Sequence, residues 1–204
     1  GDYYDFIHVG DDRLAVVVGD VSGHGVSSAL LMATARALVM LRASMPGPAA
    51  SIINDVNKYL SKDTYETGNF MTFFYCELIA LSREICWVRA GHDPALIYNP
   101  ERDEFDELKG YGMALGLDYD FEYEEFQHSL EPNQLILIGT DGIWEMRNEQ
   151  GEMFGKERLK AIIRDKSSLR AKEILAHIDK TLSEFRDGTP LEDDVTMVVV
   201  KNMQ

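Results

Sequence analysis

The chain has 204 residues, 45% of them hydrophobic, and a formal net charge of −15. These values are typical of one globular domain with a sizeable core, and they exclude a disordered or fibrous chain. The acidity also argues against a surface for nucleic acid or anionic membranes, because either would need a patch of Lys and Arg to neutralise phosphates.

The sequence leads to two expectations, one about membrane spans and one about the length of the whole protein. We expect no membrane span, because Arg36 and Arg42 interrupt the best apolar stretch before it reaches about eighteen residues. The sequence opens at Gly1-Asp2 without an initiator Met. We therefore expect residues 1–204 to be a single domain cut from a longer protein, with regulatory domains upstream.

The first elements predict a β-hairpin. Tyr3 to His8 and Leu14 to Gly19 are strand-like, and Gly10-Asp11-Asp12 is a turn between them. The second run is rich in β-branched residues and is typical of a buried strand. It delivers Asp20 to a glycine-rich turn.

The stretch Gly19 to Gly25, GDVSGHG, is the first candidate functional element. Its glycines let backbone groups approach a ligand closely, and the helix after it offers unpaired N–H donors at its start. Asp20 adds a hard carboxylate oxygen of the kind that divalent cations prefer. The stretch favours a metal bound together with a phosphate, although Asp and Gly after a strand are also ordinary turn residues.

Two helices are predicted next. Val26 to Leu41 is apolar on almost every face, which predicts a core helix covered on both sides. Pro48 to Ser61 has apolar residues at helical spacing on one face only, after a break at Pro46-Gly47. The pair predicts a helical layer that covers a sheet.

Residues 70–99 are strand-like throughout and predict a β-meander with turns at Ser82-Arg83 and at His92-Asp93-Pro94. Because His92 lies between a strand and a proline, we predict that it is a structural turn residue rather than a ligand.

The two cysteines, Cys76 and Cys86, lie in this region. With Ser82-Arg83 as the turn, Cys76 pairs with Arg89 and Cys86 with Ile79, which places the thiols on opposite faces of the sheet. A disulfide between them is therefore not expected. Two unpaired thiols fit a reducing compartment, so we expect the protein to be cytoplasmic.

The second half of the chain predicts strands and a late helix pair. Leu135 to Ile138 is a continuous apolar run, hence a central strand, and it ends in Gly139-Thr140-Asp141-Gly142. The other elements are a loop at Lys109 to Leu117, a strand at Phe121 to Gln127, helices at Lys156 to Arg164 and Ala171 to Phe185, a polar loop at Asp187 to Asp194 and a strand at Val195 to Val200. Antiparallel strands with an early and a late helix pair imply layers of α+β structure.

Carboxylates mark the ends of three apolar strands. Asp20 and Asp141 follow such strands, Asp193-Asp194 precedes the last one, and Asp2 and Asp5 flank the start of the first. Strand-end carboxylates on several strands of one sheet would meet at one edge. A two-metal site needs this concentration, because two cations roughly 3.5–4 Å apart share a bridging carboxylate. A buried cluster of carboxylates without a cation would be strongly unfavourable.

The order of these motifs resembles that of the metal-dependent serine/threonine protein phosphatases, type 2C class. The similarity is greatest to the bacterial branch of stage II sporulation and stress-response phosphatases. The motifs are GDYYD at Gly1 to Asp5, GDVSGHG at Gly19 to Gly25, RAGHDPAL at Arg89 to Leu96, MALGL at Met113 to Leu117, TDGIWE at Thr140 to Glu145 and EDDVTMVVV at Glu192 to Val200. The resemblance implies an α+β fold of the αββα type: a two-sheet antiparallel β-sandwich flanked by helix pairs, with the metal site at one end between the sheets.

The resemblance also implies ligands for two divalent cations, Mn²⁺ or Mg²⁺. Asp20 matches the carboxylate that bridges the two metals, and the backbone carbonyl of Val21 matches a further ligand. Asp141 matches a ligand of one metal. Asp193 stands where the last ligand of the family falls, and Asp194 occupies a position that is often Asn or Asp in relatives.

Asp2 and Asp5 match the opening motif, whose acidic group holds a metal-bound water. Both residues remain candidates for that role.

Two departures from the animal enzymes concern phosphate binding and proton transfer. The animal type 2C enzymes hold phosphate with an Arg near the N-terminus and use a His directly after the bridging Asp-Gly as general acid; neither is at that place here. His24 stands three residues further along. The resemblance implies direct in-line attack by a metal-bridging water. A metal-bound water is favoured over His24 as the proton donor.

The function implied is that of a protein phosphatase acting on phosphoserine or phosphothreonine, with an anti-sigma-factor antagonist as the expected substrate. An upstream sensor or receiver domain would regulate it, as in a response-regulator output domain, with the early helix pair as the hypothetical lever. A homodimer remains open. The alternatives are a catalytically silent docking module with the same fold and another two-metal phosphoryl-transfer enzyme that acts on small molecules.

Overall fold

In the computed structural model, which describes residues 1–203, the chain forms strands and helices that fall into two compact units. The elements are β1 Asp2–Val9, β2 Arg13–Val21, α1 Val26–Ala43, α2 Ala49–Thr64, β3 Met71–Ile79, β4 Glu84–Ala90, β5 Ala95–Asn99, β6 Glu104–Leu108, β7 Phe126–Ser129, β8 Leu135–Gly139, α3 Gly155–Lys166, α4 Ala171–Arg186 and β9 Met197–Lys201. The first unit is Gly1–Pro94 with Lys109–Leu130, and the second is Ala95–Leu108 with Glu131–Gln204.

The first unit is a five-stranded antiparallel sheet with two helices on one face. Its strand order is β1-β2-β3-β4-β7. Side chains alternate along β2, so that Ala15, Val17 and Val21 join the core beneath α1 and α2 while Asp20 lies on the other face. Each fully buried Val or Ile of this core contributes roughly 1.5–3 kcal/mol to stability.

Helix α1 buries one stripe rather than two faces. The buried stripe is Ser28, Leu31, Ala35, Val39 and Ala43. On the other side Val26, Leu30 and Leu41 are 77%, 65% and 59% exposed. The prediction of a helix covered on both sides is therefore wrong, because the described part of the first unit has one helical layer and its outer side faces solvent.

Helix α1 is also the one helix among residues 1–203 that is long and apolar enough to cross a membrane. This criterion uses length and composition only, and the charges of Arg36 and Arg42 do not exclude the helix from it. A single such helix is weak evidence, since a helix of a soluble protein can meet the same criterion. The expectation of no membrane span stays a prediction.

The second unit is a four-stranded antiparallel sheet with the strand order β6-β5-β8-β9. All five residues of β8 are buried, as expected for an inner strand. Helices α3 and α4 cover this sheet through Leu159, Ile163, Ile174 and Ile178. The predicted α+β class with an early and a late helix pair is confirmed.

Strand pairing corrects the predicted meander. Strand β5 does not pair with β4 but with β6 and β8, in the other sheet. The chain turns away after β4 at Gly91, whose φ of 70° is a conformation that glycine adopts readily. The strand β2 also runs further than predicted, to Val21, because β1 and β3 pair with it to its end.

The predicted strand from Phe121 to Gln127 is wrong in its first half, since β7 begins only at Phe126. Phe121 and Tyr123 pack against the core of the first unit instead. The amide of Tyr123 donates to Asn54 Oδ1 of α2 at 2.7 Å, which replaces a strand hydrogen bond.

The two cysteines lie on opposite sheet faces, as predicted, but in a different register. Cys76 pairs with Trp87 and Cys86 pairs with Glu77. The loop between the strands holds residues 80–83 rather than a two-residue turn, with Arg83 at a φ of 58°. Both thiols are buried and free.

We expect neither cysteine of the native protein to react with DTNB at mildly alkaline pH. Burial raises the pKa of the Cys76 thiol, and burial together with the Glu125 carboxylate raises the pKa of Cys86 to about 12, so neither forms the reactive thiolate. Thiol titration before and after unfolding in guanidinium chloride measures this. Both thiols should react only in the unfolded chain, and rapid reaction of either in the native protein would contradict their burial.

Candidate functional site

Asp20 lies near the end of β2 in a row of polar side chains that crosses three strands. Asp2 of β1 pairs with Asp20, and Asp20 pairs with Thr72 of β3. Directly opposed residues of antiparallel strands share a face, which here is the face opposite the helices. Thr72 Oγ1 lies 2.9 Å from Nδ1 of His92, which is buried. The assignment of His92 as a structural turn residue rather than a ligand stays a prediction.

The ammonium group of Gly1 indicates what the oxygen atoms around Asp20 can hold. It donates to Asp20 Oδ1 at 3.0 Å, to the Val21 carbonyl at 2.9 Å and to the Gly23 carbonyl at 3.4 Å. The ammonium stands in for a cation, since three hard oxygens converge on one positive group. Mg²⁺ and Mn²⁺ prefer these oxygen types. In a longer chain the Gly1 nitrogen would be an amide, which leaves the oxygens without this positive charge.

The loop from β2 to α1 carries His24 at its tip. The Ser28 hydroxyl donates to the Ser22 carbonyl at 3.1 Å and so ties the helix start to the strand end. Gly23 and Gly25 have φ angles of 80° and 84°, which side-chain-bearing residues avoid. His24 is exposed between them.

Asp5 lies on the helix-facing side of β1, away from Asp20. Its Oδ2 accepts hydrogen bonds from the Tyr3 hydroxyl at 3.1 Å and from Arg36 Nε at 2.9 Å. Burial, together with the charge of Asp5, raises the pKa of Tyr3, so the hydroxyl stays protonated and donates. Of the two acidic residues in the opening motif, Asp2 is thus in register with Asp20, while Asp5 is ion-paired to α1.

In the second unit, Asp141 lies two residues after Gly139, the last residue of β8, and it is exposed. The Thr140 amide donates to the Thr196 carbonyl at 3.0 Å, and the Thr196 amide donates to Thr140 Oγ1 at 3.1 Å. On its other side, the Asp141 carbonyl accepts a hydrogen bond from the Glu145 amide at 2.8 Å. The backbone on both sides of the Asp141 carboxylate is therefore fixed.

Gly142 brings the loop of Asp193 and Asp194 against the Asp141 turn. A Cβ atom on Gly142 would lie 2.0 Å from the Asp194 carbonyl oxygen, so a side chain at this position is excluded. Asp193 is exposed, and its Oδ1 accepts a hydrogen bond from the Asp194 amide at 2.8 Å. The two acidic motifs of the second unit are thus in main-chain contact.

A cavity of about 230 Å³ opens between these two segments. The residues that line it are Gly142, Glu145, Met146, Arg147, Pro190, Leu191, Glu192 and Asp193. Arg147 is the single cationic side chain among these lining residues. A cationic side chain and the predicted ligand Asp193 therefore line the same cavity.

The predicted metal ligands are distributed over both units. Asp2, Asp20 and Val21 belong to the first, and Asp141, Asp193 and Asp194 belong to the second. Within residues 1–203, no three His, Cys, Asp or Glu side chains form a group that could hold a metal ion. The fit to a cation rests on the oxygens around the Gly1 ammonium, and the metal-binding role of these residues stays a prediction.

Thr72 and Arg147 are site residues that sequence reasoning missed. Thr72 does carry a signal, because it is a polar residue within the apolar run MTFFYC. Arg147 carries none, since the other wall of its cavity is residues 190–193, far along the chain.

Comparison with known sequences identifies relatives. The family of stage II sporulation protein E (SpoIIE) matches residues 10–202. Phosphoserine phosphatase RsbU of Bacillus subtilis (strain 168) is 25% identical, over 98% of this chain and 59% of RsbU. Protein IcfG of Synechocystis sp. is 28% identical, over 98% of this chain and 35% of IcfG. The chain thus spans about three fifths and one third of the length of these relatives.

Solved structures share the fold. The SiaA-PP2C domain of Pseudomonas aeruginosa superposes with a TM-score of 0.85 at 24% identity, covering 98% of this chain and 80% of that one. RsbX, solved in complex with magnesium, gives a TM-score of 0.70 at 18% identity and covers 98% and 86% of the two chains. The arrangement of two antiparallel sheets and four helices is therefore that of PP2C phosphatase structures.

Gly142→Ala is expected to destabilise the protein and to weaken Mn²⁺ binding. The added Cβ forces the Asp193-Asp194 loop away from the Asp141 turn, at a cost of roughly 3 kcal/mol in the free energy of unfolding. Urea unfolding and calorimetric Mn²⁺ titration measure the two effects.

Gly155→Ala is the matched control in the same unit. Its Cβ would meet nothing within 4 Å, and only the φ of 77° opposes it, which costs about 1–2 kcal/mol. Mn²⁺ affinity should be unchanged in this variant. Equal Mn²⁺ affinity in both variants would show that the contact at Gly142 does not position a cation site.

Proposed function

Because this chain belongs to the stage II sporulation protein E (SpoIIE) family, we propose that it is a metal-dependent protein phosphatase that hydrolyses phosphoserine or phosphothreonine. The observation that carries the proposal is that Asp20 Oδ1 and the carbonyl oxygens of Val21 and Gly23 converge near the end of β2. The reaction class is supported by RsbU, which is named a phosphoserine phosphatase.

The proposed ligands come from both units. Asp20 and the Val21 carbonyl would hold a cation from the first unit, and Asp141 and Asp193 from the second, with Asp194 as a further candidate. Bound Mg²⁺ or Mn²⁺ would polarise the phosphoryl oxygens and provide a nucleophilic water at neutral pH. Its use is supported by RsbX, which was solved with magnesium.

The residues of the chain then orient the reactants rather than react themselves. Asp2, in register with Asp20, is placed to accept a hydrogen bond from a water molecule beside that carboxylate. Direct attack of water on phosphorus requires no covalent intermediate. The leaving serine oxygen needs a proton, and a general acid must be held within hydrogen-bond reach of it.

His24 is a poor candidate for this acid. It is exposed at the tip of a glycine loop, and no hydrogen bond to another described residue holds its ring. We therefore assign the proton to water, with His24 as the alternative.

The substrate proposed is a phosphorylated anti-sigma-factor antagonist, and the upstream regulator is proposed to be a sensor or receiver domain. Both follow from the resemblance to stress-response phosphatases. The family match supports this resemblance. The partial coverage of RsbU supports the proposal of a further domain, because RsbU extends well beyond the region shared with this chain. A cytoplasmic location and a homodimer belong to the same proposal.

Phosphate release from a phosphoserine protein is expected to depend on Mn²⁺ and to stop with a chelator. Asp20→Asn and Asp141→Asn should each lower turnover by at least roughly a hundredfold, because each removes a carboxylate that holds the cation. Asp12→Asn, in the exposed turn after β1, is the matched control and should leave turnover unchanged.

Two results of the same assay would favour the alternatives. Binding of the phosphoprotein with Mn²⁺ present but without hydrolysis would indicate a docking module. Faster hydrolysis of small phosphate esters than of the phosphoprotein would indicate an enzyme for small molecules.

His24→Gln is expected to retain turnover within about threefold of the unmodified protein, with the same pH profile. A general acid contributes roughly a hundredfold or more, so a loss of that size would assign the proton to His24.

A further inference from the structure

We propose that Arg147 binds the phosphoryl group of the substrate from the cavity beside Asp193. This inference rests on the proposed phosphatase function and adds a substrate-binding residue to it.

Phosphoryl transfer requires cationic donors around the group being transferred. Negative charge spreads over the peripheral oxygens of phosphorus, and Arg or Lys residues that contact them stabilise both the bound substrate and the transition state. Arg is well suited because its planar guanidinium can donate two parallel hydrogen bonds to one phosphate.

Arg147 is the residue of the second unit with the right location. It lines the cavity whose walls also include Gly142 and Asp193. Gly142 is adjacent to Asp141, and Asp193 is a predicted ligand, so the cavity borders two residues that would hold a cation. Pro190 and Leu191, both exposed, also line the cavity.

The guanidinium is held in place from one side only. Arg147 pairs with Met153 in an isolated antiparallel bridge, and a turn closed by the Gly151 amide and the Asn148 carbonyl at 2.9 Å lies between them. Arg147 Nη1 donates to the Gly151 carbonyl at 2.8 Å. A guanidinium has five N–H donors. This single anchor therefore orients the group and leaves donors for a ligand.

Three carboxylates line the same cavity and oppose anion binding when no cation is bound. They are Glu145, Glu192 and the predicted ligand Asp193, and all three are exposed. Water and salt screen exposed charges strongly, whereas half-buried Arg147 acts at contact distance. The opposite charges of Glu192 and Arg147 give the proposal a direct test. Neutralising Glu192 must raise the affinity for anions, and neutralising Arg147 must lower it.

The experiment measures the affinity of inorganic phosphate by calorimetry, with and without Mg²⁺, and KM and kcat for a phosphoserine peptide. In Arg147→Met, the Kd of phosphate and the KM of the peptide should rise by roughly tenfold to a hundredfold, the usual effect of losing hydrogen bonds to a charged group. Arg147→Lys should be intermediate, because it keeps the charge but not the planar fork. Glu192→Gln should bind phosphate more tightly.

Arg158→Met is the matched control for a structural effect. Arg158 Nη1 donates to the carbonyls of Met153 and Phe154 at 2.7 and 3.0 Å, so it anchors the same segment without lining the cavity. Its loss should leave phosphate affinity and KM unchanged. An equal loss in Arg147→Met and Arg158→Met would overturn the proposal, since the effect would then come from the segment and not from the guanidinium.

The remaining outcomes separate this proposal from the proposed function. If Arg147→Met binds phosphate with unchanged affinity and melts at the same temperature as the unmodified protein, the proposed role of Arg147 is overturned. The proposed phosphatase function is not affected by that result. Weaker phosphate binding in Glu192→Gln also overturns it, because the cavity would then be a site for cations. If the unmodified protein hydrolyses no phosphoserine but its phosphate affinity depends on Arg147, the phosphatase proposal fails and the anion site is supported.

Discussion

At two glycines a main-chain carbonyl occupies the space of the missing side chain, and the positions of the predicted ligands depend on this close approach. A Cβ on Gly19, before Asp20, would lie 2.7 Å from a carbonyl oxygen of β3. A Cβ on Gly142, after Asp141, would lie 2.0 Å from the Asp194 carbonyl oxygen. Each glycine therefore locks a carboxylate-bearing segment to its neighbour. Without this contact the carboxylates could move apart, which their mutual repulsion favours.

The elements with strong periodicity could be predicted closely from the sequence, but their partners could not. The predicted helix from Ala171 to Phe185 differs from α4 by one residue, because apolar side chains recur on one face of it throughout. Strands β4 and β5 are consecutive in sequence yet belong to different sheets. That separation depends on Gly91, where a Cβ would meet the Ala114 amide at 2.7 Å, a contact made by a distant loop. The exposed side of α1 likewise depends on what packs against it, and its own sequence does not report this.

The residues of the candidate site also differ in whether local sequence or tertiary structure identifies them. Asp20, Asp141 and Asp193 are proposed as ligands because each lies next to an apolar run in the sequence, which is a local pattern. Thr72 belongs to the site through strand register, since it is directly opposite Asp20. Arg147 belongs to it through a cavity whose two walls are far apart in the chain. Spacing within one segment reports local structure, whereas such neighbours exist only after the sheets have formed.

The net charge of the chain affects how the proposed phosphoprotein substrate could bind. At a net charge of −15 the protein repels an anionic partner, but at physiological ionic strength this repulsion is screened beyond about 8 Å. Contacts at short range therefore determine binding. In the cavity of the second unit, Arg147 attracts an anion while Glu145 and Glu192 repel it. A cation held by Asp141 and Asp193 would reverse the balance, because it converts two repelling carboxylates into part of an anion site. Phosphate and cation binding are then linked, and each must strengthen the other by the same factor. On the proposed function, the acidity of the surface therefore becomes compatible with an anionic substrate when a cation offsets Asp141 and Asp193.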